Sequence, residues 1–361
     1  MADGLECLVC AVYVGGRMAE ETTPGIEEWR GLYKSAVRIK EISPWEWMTE
    51  ADIFGVQSPE TGDLGFVSVL GMLGQHYAVS LYLGSEGIHG FIDLQAMGPL
   101  ADPDDLIQIP QLQASFEDRE QLDKRDRAVI KELGMKFRGR NAWPWFRSYR
   151  PSFFPWFLEA EEVRFLTCAL EQLADVAPRF REDSAMLEPS GGDTYLLRAP
   201  RREGETLHWE DASMDMPPLD APPIEVEMEV SKIEALGRLP RTQARLEADF
   251  FMLPAPVRDE GDRPYFPHML LVVEATSGMI LGHDLLSPHP SPEAMWGRIP
   301  EKFADQLSGV DLAPERISVD SDLLFGLLEP LVDEAGIEIE LEPSLPVLEV
   351  IREDLLQTLG E

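Results

Sequence analysis

Between Ile26 and Glu41 the apolar residues Trp29, Leu32, Tyr33, Ala36, Val37 and Ile39 recur at helical spacing, which predicts an amphipathic helix. Ser43-Pro44 then supplies a cap and a first-turn proline ahead of Trp45, Trp47 and Met48. From Ile53 the period shortens to that of strands. Ile53–Val56 and Phe66–Leu70 flank the turn Pro59-Glu60-Thr61-Gly62, and Tyr77–Leu83 follows a second turn at Gly71–Gly74. A Gly-interrupted helix is expected from Ser85, a strand over Ile109–Phe116, and a charged helix from Asp118 to Leu133 stopped by Gly134. Glu159–Val176 places Val163, Leu166, Leu170 and Leu173 on one helical stripe, and Tyr195–Arg198 with Thr206–Trp209 reads as a hairpin around Glu203-Gly204.

Asp211–Pro223 carries four prolines and three aspartates, a composition that resists folding and marks a domain boundary. Beyond it, Ile224–Val230 alternates apolar and acidic residues, as a half-buried strand does. Arg245–Met252 reads as another strand, and Met269–Glu274 and Met279–Leu285 form a hairpin across Ala275-Thr276-Ser277-Gly278. Pro292–Leu307 is expected to be helical. Ile317–Asp320, Leu323–Ala335, Ile337–Leu341 and Leu345–Leu359 then alternate strand and helix, and so short a crossover implies parallel pairing. The expected fold class is α+β or mixed α/β, in two domains that are each a mixed sheet with helices. The expected division is residues 1–210, a linker at 211–223, and residues 224–361. The halves also share an order of events. A hairpin ends in Thr61-Gly62 or Ser277-Gly278, and a later strand runs into an acidic helix start at Glu117-Asp118 or Asp320-Ser321. That order suits either a duplication or ordinary α/β grammar.

Charge changes the picture more than size does. With 66 acidic against 31 basic residues the formal net charge is −35, which opposes sequence-independent contact with nucleic acid or with anionic membranes. Leu5–Gly16 contains Glu6, lacks a basic start and reads as a first strand rather than a signal or membrane segment. Three cysteines give no disulfide framework and suit a reducing cytoplasm.

Against this acidic background, Lys136–Leu158 holds nine of the 31 aromatic residues, five basic residues and no acid. Arginines among flat rings offer stacking faces and directional donors to an anion, or anchors for a protein partner. The candidate contact residues are Trp143, Trp145, Phe146, Arg147, Tyr149, Arg150 and Trp156. The same composition also describes a crossover whose rings are interdomain core and whose arginines answer the chain's own carboxylates.

From Met269 onward the chain resembles a ribonuclease-H-like or integrase-like core. Such cores open with an acid-bearing strand, a D-x-[ST]-[GR] turn and a returning strand, with a second acid ending a later strand. The matching positions are Glu274 in VVEATSGMILG and Asp320 in ISVDSD, with Glu349 or Glu353 on the last helix. The resemblance implies carboxylates clustered on Mg or Mn ions. Here Glu replaces the first Asp and the third strand of the opening meander is missing or hidden, so topology without catalysis is expected. The whole arrangement is also similar to an uncharacterised family of bacterial two-domain proteins. In these, W-P-x-F-x-S-Y-x-P-x-x-x-P-W precedes V-x-x-x-T-G-x-[IV]-L-G. This chain has Trp143-Pro144-Trp145-Phe146-Arg147-Ser148-Tyr149-Arg150-Pro151, then Pro155-Trp156, and Ser277 in place of the threonine.

Other chemistries find little support. Cys7 and Cys10 have the spacing of half a zinc site without the other half, and Cys168 stands alone. His268, His283 and His289 are close in sequence and could meet Glu274 at a metal. No dinucleotide fingerprint, phosphate loop or nucleophile elbow is present. The residues therefore point to a non-catalytic binding or adaptor protein without a cofactor, whose partner is a protein or a small anionic ligand. The competing readings are a metal-dependent phosphodiesterase, intact or degenerate, and a pure scaffold.

Overall fold

The computed structural model describes residues 23–98, 103–188, 194–204, 206–220, 222–226, 228–258, 263–311 and 313–360. The expected first strand at Leu5–Gly16, with Cys7 and Cys10, lies outside them.

Two mixed sheets organise the chain. The first contains β1 (Phe54–Gln57), β2 (Leu64–Leu70), β3 (Ala78–Leu83), β4 (Gln111–Glu117), β5 (Trp143–Tyr149), β6 (Thr194–Glu203) and β7 (Thr206–Asp215), ordered β5-β4-β3-β2-β1-β6-β7. Strands β1 to β5 are an antiparallel meander, and β6 joins it parallel to β1. The β1–β2 turn closes at Gly62, whose φ of +81° suits a residue without Cβ. One face is covered by α1 (Ile26–Ile42), α4 (Lys124–Glu132) and α5 (Ala160–Glu182). Leu32, Ala36 and Ile39 of α1 and Val163, Leu166, Leu170 and Leu173 of α5 fill that core, each fully buried Leu contributing about 1.5–3 kcal/mol. The opposite face carries α2 (Gly84–Met97), whose Ile88 and Phe91 pack on Phe66 and Tyr82, with short α3 (Pro103–Ile107) beside it.

The second sheet runs β10-β9-β8-β11-β12, from β8 (Arg245–Met252), β9 (His268–Glu274), β10 (Ile280–Leu286), β11 (Arg316–Val319) and β12 (Glu338–Leu341). The first three form an antiparallel meander, β11 lies parallel to β8, and β12 lies parallel to β11. Helices α6 (Val230–Gly237), α7 (Pro292–Gly297), α8 (Ile299–Gly309) and α9 (Asp322–Ala335) pack on one face, and α10 (Pro346–Gly360) on the other. Glycines with positive φ follow three helices: Gly98 beyond α2, Gly134 beyond α4 and Gly336 beyond α9, at +54°, +69° and +65°.

Four expectations need correction. Among the described residues of the expected strand at Ile224–Val230, 224–226 and 228–229 are not in a strand and Val230 begins α6: Ile224 and Met228 anchor on the second core while Val226 is 44% exposed, so the alternation does not form one buried face. Pro292–Leu307 divides at Arg298, where Pro300 cannot donate to a continuous ladder. The first five residues of the Asp211–Pro223 stretch end β7, and all four prolines follow it. The shared order of events is not a shared topology, because β4 extends the meander antiparallel to β3 whereas β11 returns to lie parallel to β8.

His268 lies buried at the start of β9, with its ring 5.2 Å from that of Phe250 and stacked on it. Burial lowers its pKa from 6.5 to about 4, opposed by the Phe266 carbonyl. Between those values the unfolded chain binds a proton that the folded chain does not, so folding stability falls as pH drops. Urea unfolding at pH 6.5 and pH 4 should show wild type losing about 3 kcal/mol more than His268→Phe. Equal losses in the two proteins would contradict this account of His268.

Candidate functional site

The aromatic window is an edge strand followed by a loop. Pro144 is tolerated in β5 because β5 is the outermost strand beside β4. Phe146 is buried edge-on to Tyr33, with ring centroids 5.0 Å apart, and Trp143 meets Phe137 at 5.8 Å. Burial pushes the Tyr33 hydroxyl well above the ordinary phenol range, with Asp126 adding to the rise and Arg147 opposing it. The Tyr149 hydroxyl donates to Gln113 Oε1 at 3.2 Å.

Both arginines singled out from the sequence answer carboxylates of this chain. Arg147 is 6% exposed and donates Nη1 and Nη2 to Asp126 Oδ1 and Oδ2 at 3.0 and 2.8 Å. Its guanidinium also lies 4.1 Å from the Trp145 ring centroid and 4.5 Å from that of Phe157. Arg150 Nη2 lies 2.9 Å from both Glu159 Oε1 and Glu162 Oε1.

After β5 the chain crosses to the second half. Trp156 pairs its backbone with Ser148 (N–H···O distances of 2.8 and 3.0 Å), which folds the intervening loop outward. Phe154 N then donates to Pro264 O, and Phe266 N to Ser152 O, each at 2.9 Å. His289 sits edge-on between Phe153 and Tyr265, 5.1 Å from each ring. Arg263 feeds the same loop, donating Nε to Phe154 O at 3.1 Å, Nη1 to Ser148 Oγ at 3.3 Å, and Nη2 to Ser148 O. Desolvation, followed by the nearby charge of Arg150, lowers the Arg263 pKa to about 10, so it stays cationic at neutral pH. Ser148 Oγ in turn donates to Glu162 at 2.8 Å, which connects this seam to the Arg150 cluster.

Arg150 also borders an open cleft of about 450 Å³ between the β1–β2 turn, the start of α2 and the start of α5. Leu64, Leu83, Pro110, Leu112 and Phe165 line it together with acids.

In the second sheet, the acids expected to act together are separated. Glu274 is paired with Leu246 on the core face, whereas the β8–β11 register continues to place Asp320 beside Asp249. Three residues along β8 and two strand spacings across put Glu274 and Asp320 about 10 Å apart in each direction, on opposite faces. Glu274 instead closes its own turn, accepting from Ser277 N and Ser277 Oγ at 2.6 Å each and from Thr276 N at 3.1 Å. These bonds, the Ser277 hydroxyl first, hold its pKa down at about 2. Glu349 caps its own helix by accepting from Leu345 N at 3.2 Å, and Glu353 is exposed.

Two acids the sequence reading passed over lie at the centre of β8. Glu247 accepts from Val347 N and Leu348 N at 3.1 and 2.7 Å, capping α10. Asp249 is 4% exposed, accepts from Phe250 N at 2.7 Å, and is met by Arg352 Nη1 at 2.6 Å. Burial and then Asp320 raise the Asp249 pKa, and Arg352 opposes them. The signal was present: acids at i and i+2 in a strand that is apolar elsewhere beyond Arg245, and a single basic residue in the last helix. His268, His283 and His289 do not converge on Glu274, and among the described residues no group of three His, Cys, Asp or Glu is placed to hold a metal. Cys168 is buried in α5, its thiol pushed up to about 12 by desolvation first.

Residues 29–198 match the family model described as Domain of unknown function (DUF7309), and residues 232–356 match Domain of unknown function (DUF6930). The chain is thus similar to a DUF7309 domain over its first half and to a DUF6930 domain over its second. The DUF7309 match spans the first sheet through the middle of β6, including the whole aromatic window, and the DUF6930 match spans the second sheet. No curated protein matches the sequence. Among the described residues no helix is long and apolar enough to cross a membrane.

Removing one partner of the buried Arg147–Asp126 pair leaves a charge without compensation. Arg147→Ala should therefore lose about 3–5 kcal/mol in urea unfolding, and Arg147→Met with Asp126→Leu clearly less. A stability change in Arg147→Ala below about 1 kcal/mol would show that this arginine is free to serve a ligand.

Proposed function

We propose that this chain is a non-catalytic binding protein, in which a ribonuclease-H-like second domain has an internal cation where related cores use metal ions. Support for the fold comes from the strand order: a three-stranded antiparallel meander, with two further strands added in parallel beyond its first. The opening strand of that pattern is β8, not β9, which supplies the strand the sequence reading found missing. It also moves the first acidic position from Glu274 to Asp249.

One observation carries the absence of catalysis. Arg352, on the helix where such cores place a further acid, donates to Asp249 at 2.6 Å. Two-metal chemistry needs clustered anionic oxygens that bridge ions about 4 Å apart. Here one of the two neighbouring acids is already neutralised by a guanidinium, Glu247 is committed to two backbone donors, and Glu349 caps its helix. The donor set does not fit Mg or Mn.

The first domain is proposed to carry the binding function, with the division from the second drawn in the Pro-rich stretch after β7. Its Arg/aromatic segment joins the two domains, and only Arg150 among the two expected anion contacts borders an open cleft. Among the described residues no helix is long and apolar enough to cross a membrane, and the charge of −35 opposes a nucleic-acid partner.

Calorimetric titration with Mn²⁺ should give no saturable heat for wild type and the same flat trace for Asp249→Asn. Saturable, stoichiometric binding in wild type that Asp249→Asn abolishes would overturn the proposal and restore the phosphodiesterase reading.

A further inference from the structure

We propose that the cleft between the β1–β2 turn and the starts of α2 and α5 receives a basic, amphipathic segment of a partner protein. This deepens the binding reading above and rests on it.

The cleft has an apolar floor and an acidic rim. Leu64, Leu83, Pro110, Leu112 and Phe165 come from four separate elements and meet beneath the opening. Around them stand Asp63, Glu86, Glu159, Glu161 and Glu162, against the single guanidinium of Arg150. That guanidinium is already shared between Glu159 and Glu162, so it does not neutralise the rim as a whole.

Glu86 is the most informative of these acids. It is half-buried in the first turn of α2, and no cation among the described residues pairs with it. Burial raises its pKa, and Glu293 and Asp220 raise it further, because three acids from three segments crowd one another there. An incoming ammonium would relieve that crowding. The helix start that carries Glu86 is held in place by Gly87, where a Cβ would come within 2.8 Å of the Tyr82 backbone and 2.9 Å of Pro110 O.

Floor and rim together select the occupant. Lysine and arginine have an aliphatic stem that lies along apolar surface and a charged head that stays at its edge. A volume of about 450 Å³ falls in the usual range for ligand sites, ~300–1,000 Å³, enough for a few side chains rather than a whole domain. The β1–β2 turn, α2 and the start of α5 each supply acids to the lining, which suits several cations on one chain. A small anion finds one shared guanidinium and five carboxylates, and is repelled. The formal charge of −35 raises the encounter rate for any basic partner, but only the cleft adds the apolar contact.

The test is fluorescence anisotropy with a labelled, capped octapeptide of alternating Lys and Leu, at physiological ionic strength. Asp63→Asn with Glu86→Gln should weaken binding about tenfold, as loss of two partly desolvated charge contacts implies. Replacing the peptide's leucines by serine should weaken it about tenfold again. A control pair of exposed acids, Glu120→Gln with Glu132→Gln, should change affinity less than about twofold. Equal weakening by both pairs would mean diffuse attraction to an acidic surface and would overturn the site. So would a serine peptide that binds as well as the leucine peptide, or spermidine competing as effectively. Binding of inorganic phosphate, lost in Arg150→Ala, would assign the cleft to an anion instead. None of these outcomes depends on Mn²⁺, so failure of the cleft and failure of the non-catalytic reading remain distinguishable.

Discussion

The joint between the two domains depends on one largely desolvated guanidinium. Arg263 donates to two carbonyls and a hydroxyl of the first domain, from a place where burial first, and then the charge of Arg150, lower its pKa to about 10. An unpaired cation there would be costly, so the loop from Ser148 to Trp156 must present those oxygens to it. Once it does, the backbone bonds from Phe154 and Phe266 and the ring contacts at His289 fall into place. The basic, aromatic segment is thereby an internal fastening.

The same economy of cations governs the second sheet. Helix α10 has one basic side chain, and it is spent on Asp249, while the helix start is spent on Glu247. Two acids on the central strand thus become the means by which α10 is docked across the sheet. A buried ion pair is weak as a source of stability but strong as a constraint on register, since moving the helix by a turn would orphan both charges. In a chain with more than two acids for each basic residue, the buried arginines among the described residues, Arg147 and Arg198, already have carboxylates to answer. What is left over is negative, and Glu86 at the cleft is where that surplus meets apolar surface.

Much of the architecture was legible, because it follows from period and punctuation. The stripe of α5, the hairpins at Gly62 and Gly278, and the glycine stops at Gly134 and Gly336 were read directly. Pairing was less so. The Arg245–Met252 strand was recognised, but nothing in a single strand's alternation says that it opens the second sheet beside β9 and β11. Ile224–Val230 has the alternation of a strand, but its described residues pair with none. The candidate site suffered from the same blindness to long-range partners. Arg147 announces a charge, but Asp126 lies 21 residues away on a helix, and Arg352 lies 103 residues from Asp249.

The central claim is that the window of the first domain fastens the second through Arg263. Differential scanning calorimetry of wild type and Arg263→Ala measures this most directly. Truncation leaves the Phe154 carbonyl without its donor and the Ser148 carbonyl with the Trp156 N–H alone, at about 1–3 kcal/mol for the orphaned group. Wild type should melt in one cooperative transition, and Arg263→Ala should separate into two, with the domains uncoupled. A single transition with an unchanged midpoint in the variant would contradict the account.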